Sequence, residues 1–202
     1  MTQASHIYKP SQNRVDIRLR LAKLILDKSF FFGETITLAS GQTSDFYFNT
    51  KPTMLHPEGA SSIATLMLDA LSDVTFELIG GLEMGAVPIA SAIAAVSHIQ
   101  NRPVRAFFVR KQAKQHGTKS LIEGLEKNET VSGKNVVVVE DVTTTGGSAV
   151  KAAKILQDEG ANVCHVITVI DREEGAADLF YSENIPFTAL FGASEFRKMR
   201  EA

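Results

Sequence analysis

The sequence predicts an α/β domain with a mainly parallel central sheet flanked by helices. Two observations lead to this class. Strand-like apolar segments begin near residues 76, 104, 136 and 163, and helical or loop segments separate them, as the connections of a parallel sheet require. The third segment contains four consecutive valines at 136–139, which suits a strand buried on both faces. Because such sheets bind ligands where their strands end, we expect the functional site at the carboxyl edge.

The first predicted element is an amphipathic helix over residues 13–28, followed by an aromatic-rich hairpin. Two β-favouring segments flank the small and polar residues 40–44, which are suited to the hairpin turn. We expect the helix to bury one apolar face, formed by Val15, Leu19, Ala22 and Leu26 and widened by Leu21, Leu24 and Ile25.

The remaining elements alternate between helical and extended patterns. We expect helices over 56–72, 87–99 and 149–160, strands over 76–79, 104–109, 136–139, 163–170 and 186–191, and a short helix after residue 176. The last residues form a small cap, in which Arg197, Lys198 and Arg200 are expected to be solvated.

Length and composition indicate one domain. The chain has 202 residues, of which 44% are hydrophobic and 22% are charged, enough to bury a substantial core. We divide it into an N-terminal helix and hairpin (about 1–50) and a core (about 51–202). A formal charge of -2 gives no global attraction to nucleic acid or to an anionic membrane. No apolar run has the length of a signal peptide core or a membrane span, so we expect a cytoplasmic protein.

Residues 135–150, NVVVVEDVTTTGGSAV, predict an anion site. A buried strand leads into a loop of small hydroxyl residues and glycines, and a helix begins directly after it. Unpaired N–H groups at such a helix start, together with the helix dipole, attract phosphate. Glu140 and Asp141 precede the loop and suit neutral hydroxyls or a metal, so the ligand resembles a sugar phosphate. An ordinary strand-to-helix turn whose acids cap the helix is the alternative.

Two further segments carry candidate ligand contacts. Residues 80–85, GGLEMG, join a strand to a helix and favour a second anion-binding turn, although a purely structural turn is a serious rival. Residues 110–119 hold five basic groups, counting His116, without an apolar face. Such a run is usually a solvated surface, and nucleic-acid binding is its next most common use.

Residues 135–150 resemble the phosphoribosyl diphosphate (PRPP) motif of the type I phosphoribosyltransferases, and residues 110–124 resemble the catalytic loop of the orotate branch of that family. The resemblance implies the type I phosphoribosyltransferase fold with a small N-terminal hood. It implies that residues 143–148 hold the 5-phosphate and that the acidic pair contacts the ribose hydroxyls. The segment Asp171-Arg172-Glu173-Glu174-Gly175 is similar to the family segment whose arginine meets the orotate carboxylate.

The resemblance therefore assigns a set of site residues. Lys114 is the principal catalytic cation. The implied PRPP-binding residues are Arg110, Lys111, Lys114, His116, Glu140, Asp141, Val142, Thr143, Thr144, Thr145, Gly146, Gly147 and Ser148. Orotate binding falls to Thr144 and Arg172. Two positions depart from the family pattern, since Ala39 and Met84 stand where basic residues are common.

The implied reaction is transfer of ribose 5-phosphate from PRPP to orotate, giving orotidine 5'-monophosphate and pyrophosphate in UMP synthesis. Mg²⁺ is the implied cofactor, held mainly by substrate and water, so no side chain is assigned as its ligand. A homodimer with active sites shared between subunits is implied, and no nucleic-acid or membrane partner. A purine phosphoribosyltransferase and a PRPP-sensing regulator that binds nucleic acid are the alternatives.

Overall fold

The computed structural model describes residues 6–37, 43–112 and 120–201. After a 3-10 turn at Gln12–Arg14, the helices are α1 (Val15–Lys28), α2 (Lys51–Met54), α3 (Pro57–Ala70), α4 (Ala86–Ile99), α5 (Gly147–Asp158), α6 (Ala176–Ser182) and α7 (Ala193–Glu201). The strands are β1 (Phe30–Thr37), β2 (Thr43–Phe48), β3 (Leu78–Gly80), β4 (Arg105–Ala106), β5 (Phe108–Val109), β6 (Ile122–Glu123), β7 (Asn135–Thr143), β8 (Asn162–Asp171) and β9 (Phe187–Gly192).

Five strands form the central sheet in the order β4-β3-β7-β8-β9, and every neighbouring pair is parallel. The valine-rich strand β7 lies in the middle, between β3 and β8. The predicted α/β class with a parallel sheet is therefore confirmed. In the part of the chain that the structure describes, no helix is long and apolar enough to cross a bilayer.

Two apolar layers cover the sheet because successive side chains of β7 point to opposite faces. Val137 and Val139 pack with α1, α3 and α4, whereas Val136 and Val138 pack with α5 and α6. All four valines are fully buried. Each contributes roughly 2 kcal/mol by burial, so the run fixes β7 as the centre of the domain.

The predicted N-terminal hairpin forms, but Thr43 and Ser44, which were predicted in its turn, belong to strand β2. Strands β1 and β2 pair antiparallel, with Phe30 opposite Phe48 and Phe32 opposite Phe46. The rings of Phe30 and Phe48 lie 4.9 Å apart, and both contact Phe196 of α7. Ser40, Gly41 and Gln42, which were also predicted in the turn, lie outside the described residues, as does Ala39. An aromatic cluster thus joins the hairpin to the last helix.

The predicted strand over 104–109 is wrong as a single element. Residues Arg105–Ala106 add β4 to the main sheet, but Phe108–Val109 leave it and pair antiparallel with Ile122–Glu123. A six-residue β-favouring run cannot reveal this division, because β6, the strand that pairs with β5, lies beyond residues 110–119, which we call the basic segment. The pairing of β5 with β6 fixes both ends of the basic segment.

Three local predictions also differ from the structure. Helix α1 buries Leu21, Ala22 and Ile25, whereas Val15 is 39% and Leu19 is 53% exposed. The 3.6-residue period is satisfied equally by adjoining faces, and docking against α3 selects among them. Strand β7 continues to Thr143, so Glu140 and Asp141 belong to the strand instead of following it. The short helix α2 was not predicted at all.

Candidate active site

One pocket of about 480 Å³ lies at the carboxyl end of β7, between the start of α5 and the hairpin. Its lining joins residues that are distant in the sequence, and it includes every predicted residue from 140 to 148 together with Arg172. The pocket is lined by Tyr47, Phe48, Thr50, Lys51, Glu140, Asp141, Val142, Thr143, Thr144, Thr145, Gly146, Gly147, Ser148, Ala149 and Arg172.

The floor of the pocket is the loop between β7 and α5. Gly146 has φ of 87°, a left-handed conformation that glycine adopts without strain. A Cβ at this position would lie 3.1 Å from the Phe180 ring and 3.2 Å from Leu179. The helix's hydrogen bonds begin with Val150 N–H to the Gly146 carbonyl at 3.0 Å. The N–H groups of the first turn therefore have no helical acceptor, which suits them to bind a phosphate.

Glu140 and Asp141 form the acidic wall. The Thr50 hydroxyl donates to Asp141 Oδ2 at 2.6 Å, so that carboxylate is oriented by the segment after the hairpin. Glu140 is 8% exposed, and its Oε2 has no hydrogen-bond partner within the ranges 6–37, 43–112 and 120–201. Burial, reinforced by the charge of Asp141, raises the pKa of Glu140 to about 8. An unsatisfied carboxylate oxygen beside the anion cradle, the loop at residues 143–148, is suited to accept a hydrogen bond from a sugar hydroxyl.

Arg172 directly follows the end of β8, lines the same pocket as the acids and is 5% exposed. Its Nε and Nη2 donate to Glu174 Oε1 at 2.9 and 2.7 Å, and its Nη1 donates to the Phe46 carbonyl at 3.4 Å. Its backbone N–H donates to the Thr143 carbonyl, which ties the end of β8 to the end of β7. The guanidinium is therefore held in a fixed plane at the wall of the pocket.

The preceding residue, Asp171, stabilises this strand end. It is 1% exposed, and its Oδ2 is 2.7 Å from Nε2 of His6. Its Oδ1 accepts the Glu173 N–H at 2.9 Å. The His6 ring stacks on Phe187, with ring centroids 5.1 Å apart. The N-terminal segment thus supports the turn that carries Arg172.

The glycine-rich loop at 80–85 contacts both the acids and the basic segment. A Cβ at Gly85 would clash with Asp141 Oδ1, so only glycine fits there without displacing that carboxylate. Glu83 N–H donates to the Val109 carbonyl at 2.8 Å, and Glu83 Oε1 accepts the Lys111 N–H at 2.9 Å. The loop is therefore joined to the chain leading into the basic segment, although it does not line the pocket.

Not all predicted residues are brought together. Arg110 lies near Glu123, with Nη1 and Oε1 3.9 Å apart, and its backbone N–H donates to the Leu121 carbonyl. Neither Arg110 nor Lys111 lines the pocket. Lys114 and His116, the predicted catalytic and pyrophosphate-binding residues, lie outside the described residues. The pairing of β5 with β6 nevertheless fixes both ends of the basic segment beside the loop at 80–85.

Sequence reasoning missed Thr50 and Lys51 as lining residues. The signal was present, because Thr50-Lys51-Pro52 has the pattern of a helix start, with threonine at the N-cap and proline in the first turn. What the sequence could not show is that this short helix lies against the acidic wall. Arg197 and Arg200 are exposed, as expected, but their guanidinium carbons also lie 4.3 Å from the Phe46 centroid and 4.1 Å from the Phe32 centroid, which the sequence did not predict.

The donors of the pocket suit a substrate-bound Mg²⁺. Its carboxylates are Glu140 and Asp141, and the latter already accepts a hydrogen bond from Thr50. Among the described residues, no group of three or more His, Cys, Asp or Glu side chains forms a metal cage. Mg²⁺ in phosphate-binding sites is commonly held by one or two carboxylates with substrate oxygens and water.

Residues 55–186 match the model of the phosphoribosyl transferase domain family. The chain is 59% identical to an orotate phosphoribosyltransferase from a Bradyrhizobium species over 179 residues, which cover 89% of this chain and 96% of that relative. The chain is also similar to the crystal structure of the Mycobacterium tuberculosis orotate phosphoribosyltransferase in complex with Fe(III) dicitrate, with a TM-score of 0.77 and 38% sequence identity. The match covers 89% of this chain and 98% of that one. The same enzyme in complex with PRPP is 36% identical, with a TM-score of 0.73 and the same two coverages.

These similarities, together with the parallel sheet and the anion loop, place the molecule in the class of type I phosphoribosyltransferases. Within that class, the chain belongs to the orotate phosphoribosyltransferase family. The resemblance inferred from the PRPP motif and the basic segment is therefore confirmed at the level of the family.

Proposed function

We propose that the chain transfers the ribose 5-phosphate group from PRPP to orotate, giving orotidine 5'-monophosphate and pyrophosphate in the cytoplasm. The observation that carries this proposal is the convergence of three chemistries in one pocket. An anion cradle at 143–148, the acids Glu140 and Asp141, and the guanidinium of Arg172 line the same 480 Å³. The cradle suits a phosphate, the acids suit the hydroxyls of a ribose, and the guanidinium suits a planar carboxylate.

PRPP binds through its 5-phosphate at the start of α5 and through its ribose hydroxyls at the acids. The backbone N–H groups and hydroxyls of Thr143, Thr144, Thr145 and Ser148 supply donors, and Gly146 and Gly147 allow the backbone to approach the phosphate. Ionised Glu140 and Asp141 accept hydrogen bonds from the hydroxyls. Val142, between the acids and the loop, lines the pocket without a polar role.

Orotate binds at Arg172 and Thr144, which both line the pocket. The planar guanidinium can form two parallel hydrogen bonds with a carboxylate. Glu174 accepts from the Nε–Nη2 edge, so the orotate carboxylate competes with Glu174 there or approaches the Nη1–Nη2 edge. A pyrimidine without a carboxylate gains nothing from either arrangement. The guanidinium therefore supports selection of orotate over uracil.

The reaction needs no protein nucleophile. Loss of pyrophosphate from C1 builds positive charge on the ribose ring, as in glycoside cleavage, while negative charge grows on the departing oxygens. The acids beside the ribose favour the positive charge. Lys114 is the principal catalytic cation for the leaving group, and Arg110, Lys111 and His116 bind the pyrophosphate. Mg²⁺, when bound to PRPP oxygens and water, neutralises part of the pyrophosphate charge.

The basic segment acts across subunits in a homodimer. Its two ends are fixed at Val109 and Ile122, outside the pocket of the same chain, and Arg110 and Lys111 do not line that pocket. Both observations support a segment that completes the active site of a neighbouring subunit. Residues 1–202 then act as one phosphoribosyltransferase domain per subunit.

The test is pyrophosphate release from PRPP with Mg²⁺, comparing orotate with uracil, adenine, hypoxanthine, guanine and no base. We expect release with orotate alone. Release with a purine would contradict the assignment of the base and favour a purine phosphoribosyltransferase. Saturable PRPP binding without release with any base would contradict transferase activity and leave only the anion site.

A further inference from the structure

The Phe46 ring is covered by two guanidinium groups. The guanidinium carbons of Arg172 and Arg197 each lie 4.3 Å from the ring centroid. One face of a phenyl ring has room for a single stacked guanidinium, so the two arginines cover opposite faces. Phe46 is 2% exposed, although the side chains of its neighbours Asp45 and Tyr47 are exposed. The ring is therefore a buried layer between a pocket residue and a residue of the last helix.

Arg172 depends on Phe46 through two contacts. Its guanidinium stacks on the ring, and its Nη1 donates to the carbonyl of the same residue at 3.4 Å. The opposite edge of the guanidinium is held by Glu174. Any rotation of the Phe46 ring or shift of its backbone consequently changes the plane in which Arg172 faces the pocket.

The position of Phe46 depends in turn on α7. Phe196 is fully buried, with its ring 6.0 Å from Phe30 and 5.3 Å from Phe48. Those two rings lie 6.2 and 5.8 Å from Phe46. Arg197 directly follows Phe196, so seating Phe196 in the aromatic cluster brings the guanidinium of Arg197 onto the outer face of Phe46. Nη2 of Arg197 also lies 3.9 Å from Asp45 Oδ1.

We propose that Arg197 is a positioning residue for the base substrate. Stacked on the outer face of Phe46, it holds the ring against Arg172 and thereby fixes the guanidinium plane that meets the orotate carboxylate. This inference rests on the proposed role of Arg172 and adds a residue that does not line the pocket. It concerns the base alone, because the phosphate and ribose contacts lie on β7 and α5.

The kinetic test replaces Arg197 and measures both substrates. In Arg197→Ala we expect KM for orotate to rise about three- to five-fold, the effect of losing one partly exposed cation–π contact, with kcat and KM for PRPP unchanged. Arg197→Lys should recover part of the loss. Arg200→Ala is the matched control, because Arg200 lies on the same helix and stacks on a hairpin ring, but that ring is Phe32, whereas Arg172 stacks on Phe46. We expect this control to keep the wild-type KM for orotate.

A second measurement is independent of activity. The Nε–H NMR signal of Arg172 senses the ring current of Phe46, so it should shift in Arg197→Ala and stay in place in Arg200→Ala. An unshifted signal would overturn the inference. So would a wild-type KM for orotate in Arg197→Ala, or an equal loss for both substrates or in both arginine variants.

Arg172→Ala separates the two levels of the argument. We expect it to raise KM for orotate more than Arg197→Ala does. An unchanged KM for orotate in Arg172→Ala would overturn the assignment of Arg172 itself. A raised KM there, combined with a wild-type KM in Arg197→Ala, would overturn only the positioning role of Arg197.

Discussion

Burial beside a second carboxylate disfavours the charge on Glu140 that a ribose hydroxyl would favour. Glu140 is buried next to Asp141, and burial above all raises its pKa from 4.5 to about 8. Near neutral pH the protonated form of Glu140 is therefore favoured, whereas a ribose hydroxyl donates best to the ionised form. Sugar hydroxyls would supply the hydrogen bonds that Glu140 Oε2 lacks among the described residues. Binding energy is thus available to change the protonation state of this residue.

The raised pKa predicts a pH dependence of stability. The folded state holds the Glu140 proton more tightly than the unfolded state, so the free energy of unfolding falls as pH rises from about 4.5 to about 8. The loss is at most about 1.4 kcal/mol per pH unit for this group. Glu140→Gln removes the dependence, which urea unfolding at pH 5, 6.5 and 8 would measure. Glu159→Gln, at an exposed acid, should keep the wild-type slope, and an identical slope in Glu140→Gln would contradict the prediction.

The sequence predicted the lining of the pocket well where the lining residues form one continuous segment. Residues 140–148 all line the pocket because a strand end, a loop and a helix start are adjacent in both sequence and space. Thr50 and Lys51 could not be found in this way, because they reach the pocket through tertiary packing and the sequence around them is typical of an ordinary helix start. The contact of Arg197 with Phe46 also depends on tertiary packing, and the sequence around Arg197 is typical of a solvated tail.

At the scale of elements, the junction of β7 and α5 requires a glycine at one position. Gly146→Ala places a side chain at φ 87° and 3.1 Å from Phe180, so we expect a loss of about 1 kcal/mol in stability. Because the strained residue precedes the first N–H groups of α5, KM for PRPP should also rise. Gly133 is the matched control, with φ 74° and open space where a Cβ would lie. Gly133→Ala should lose similar stability and keep the wild-type KM for PRPP.

Equal values of KM for PRPP in the two glycine variants would contradict the assignment of the α5 start as the phosphate site. Thermal unfolding supplies the stability comparison, and initial rates at saturating orotate supply KM.

The basic segment is the element for which we predict the largest effect on turnover. Lys114→Ala should lower kcat on the order of 100-fold, as loss of one charge that stabilises a leaving group does, with a much smaller change in PRPP affinity. Single-turnover rates and equilibrium PRPP binding would separate the two quantities. Lys127→Ala, at an exposed lysine, is the control. An unchanged turnover in Lys114→Ala would remove this residue from the mechanism.

The elements themselves were predicted where their pattern is local. The helices at 57–70, 86–99 and 147–158 and the strands at 135–143 and 162–171 follow the periodicity and the four-valine run. The segment 104–109 was not predicted correctly, because two adjacent residue pairs join different sheets. Partner choice depends on contacts distant in sequence, such as Phe107 N–H to the Ile79 carbonyl, which local pattern does not encode.

At the scale of the whole molecule, the parallel sheet explains why separate motifs share one pocket. Parallel strands direct all their carboxyl ends to one edge. The ends of β7 and β8 therefore bring the acids and Arg172 together, and the hairpin covers them with Tyr47 and Phe48. The described ends of the basic segment, at β5 and β6, do not line this pocket. A second subunit offers one route by which the segment could reach a pocket.

A shared active site predicts that two defective variants restore each other. Lys114→Ala impairs the donated segment, and Asp141→Ala impairs the receiving pocket. In a mixed dimer, one site then carries both changes and the other carries neither. Random reassociation of equal amounts makes half of the dimers mixed, so about a quarter of the wild-type activity should return. Each variant re-mixed with itself should stay inactive. Sites complete within one subunit would leave the mixture as inactive as its components, and the segment would then have to fold back over its own pocket.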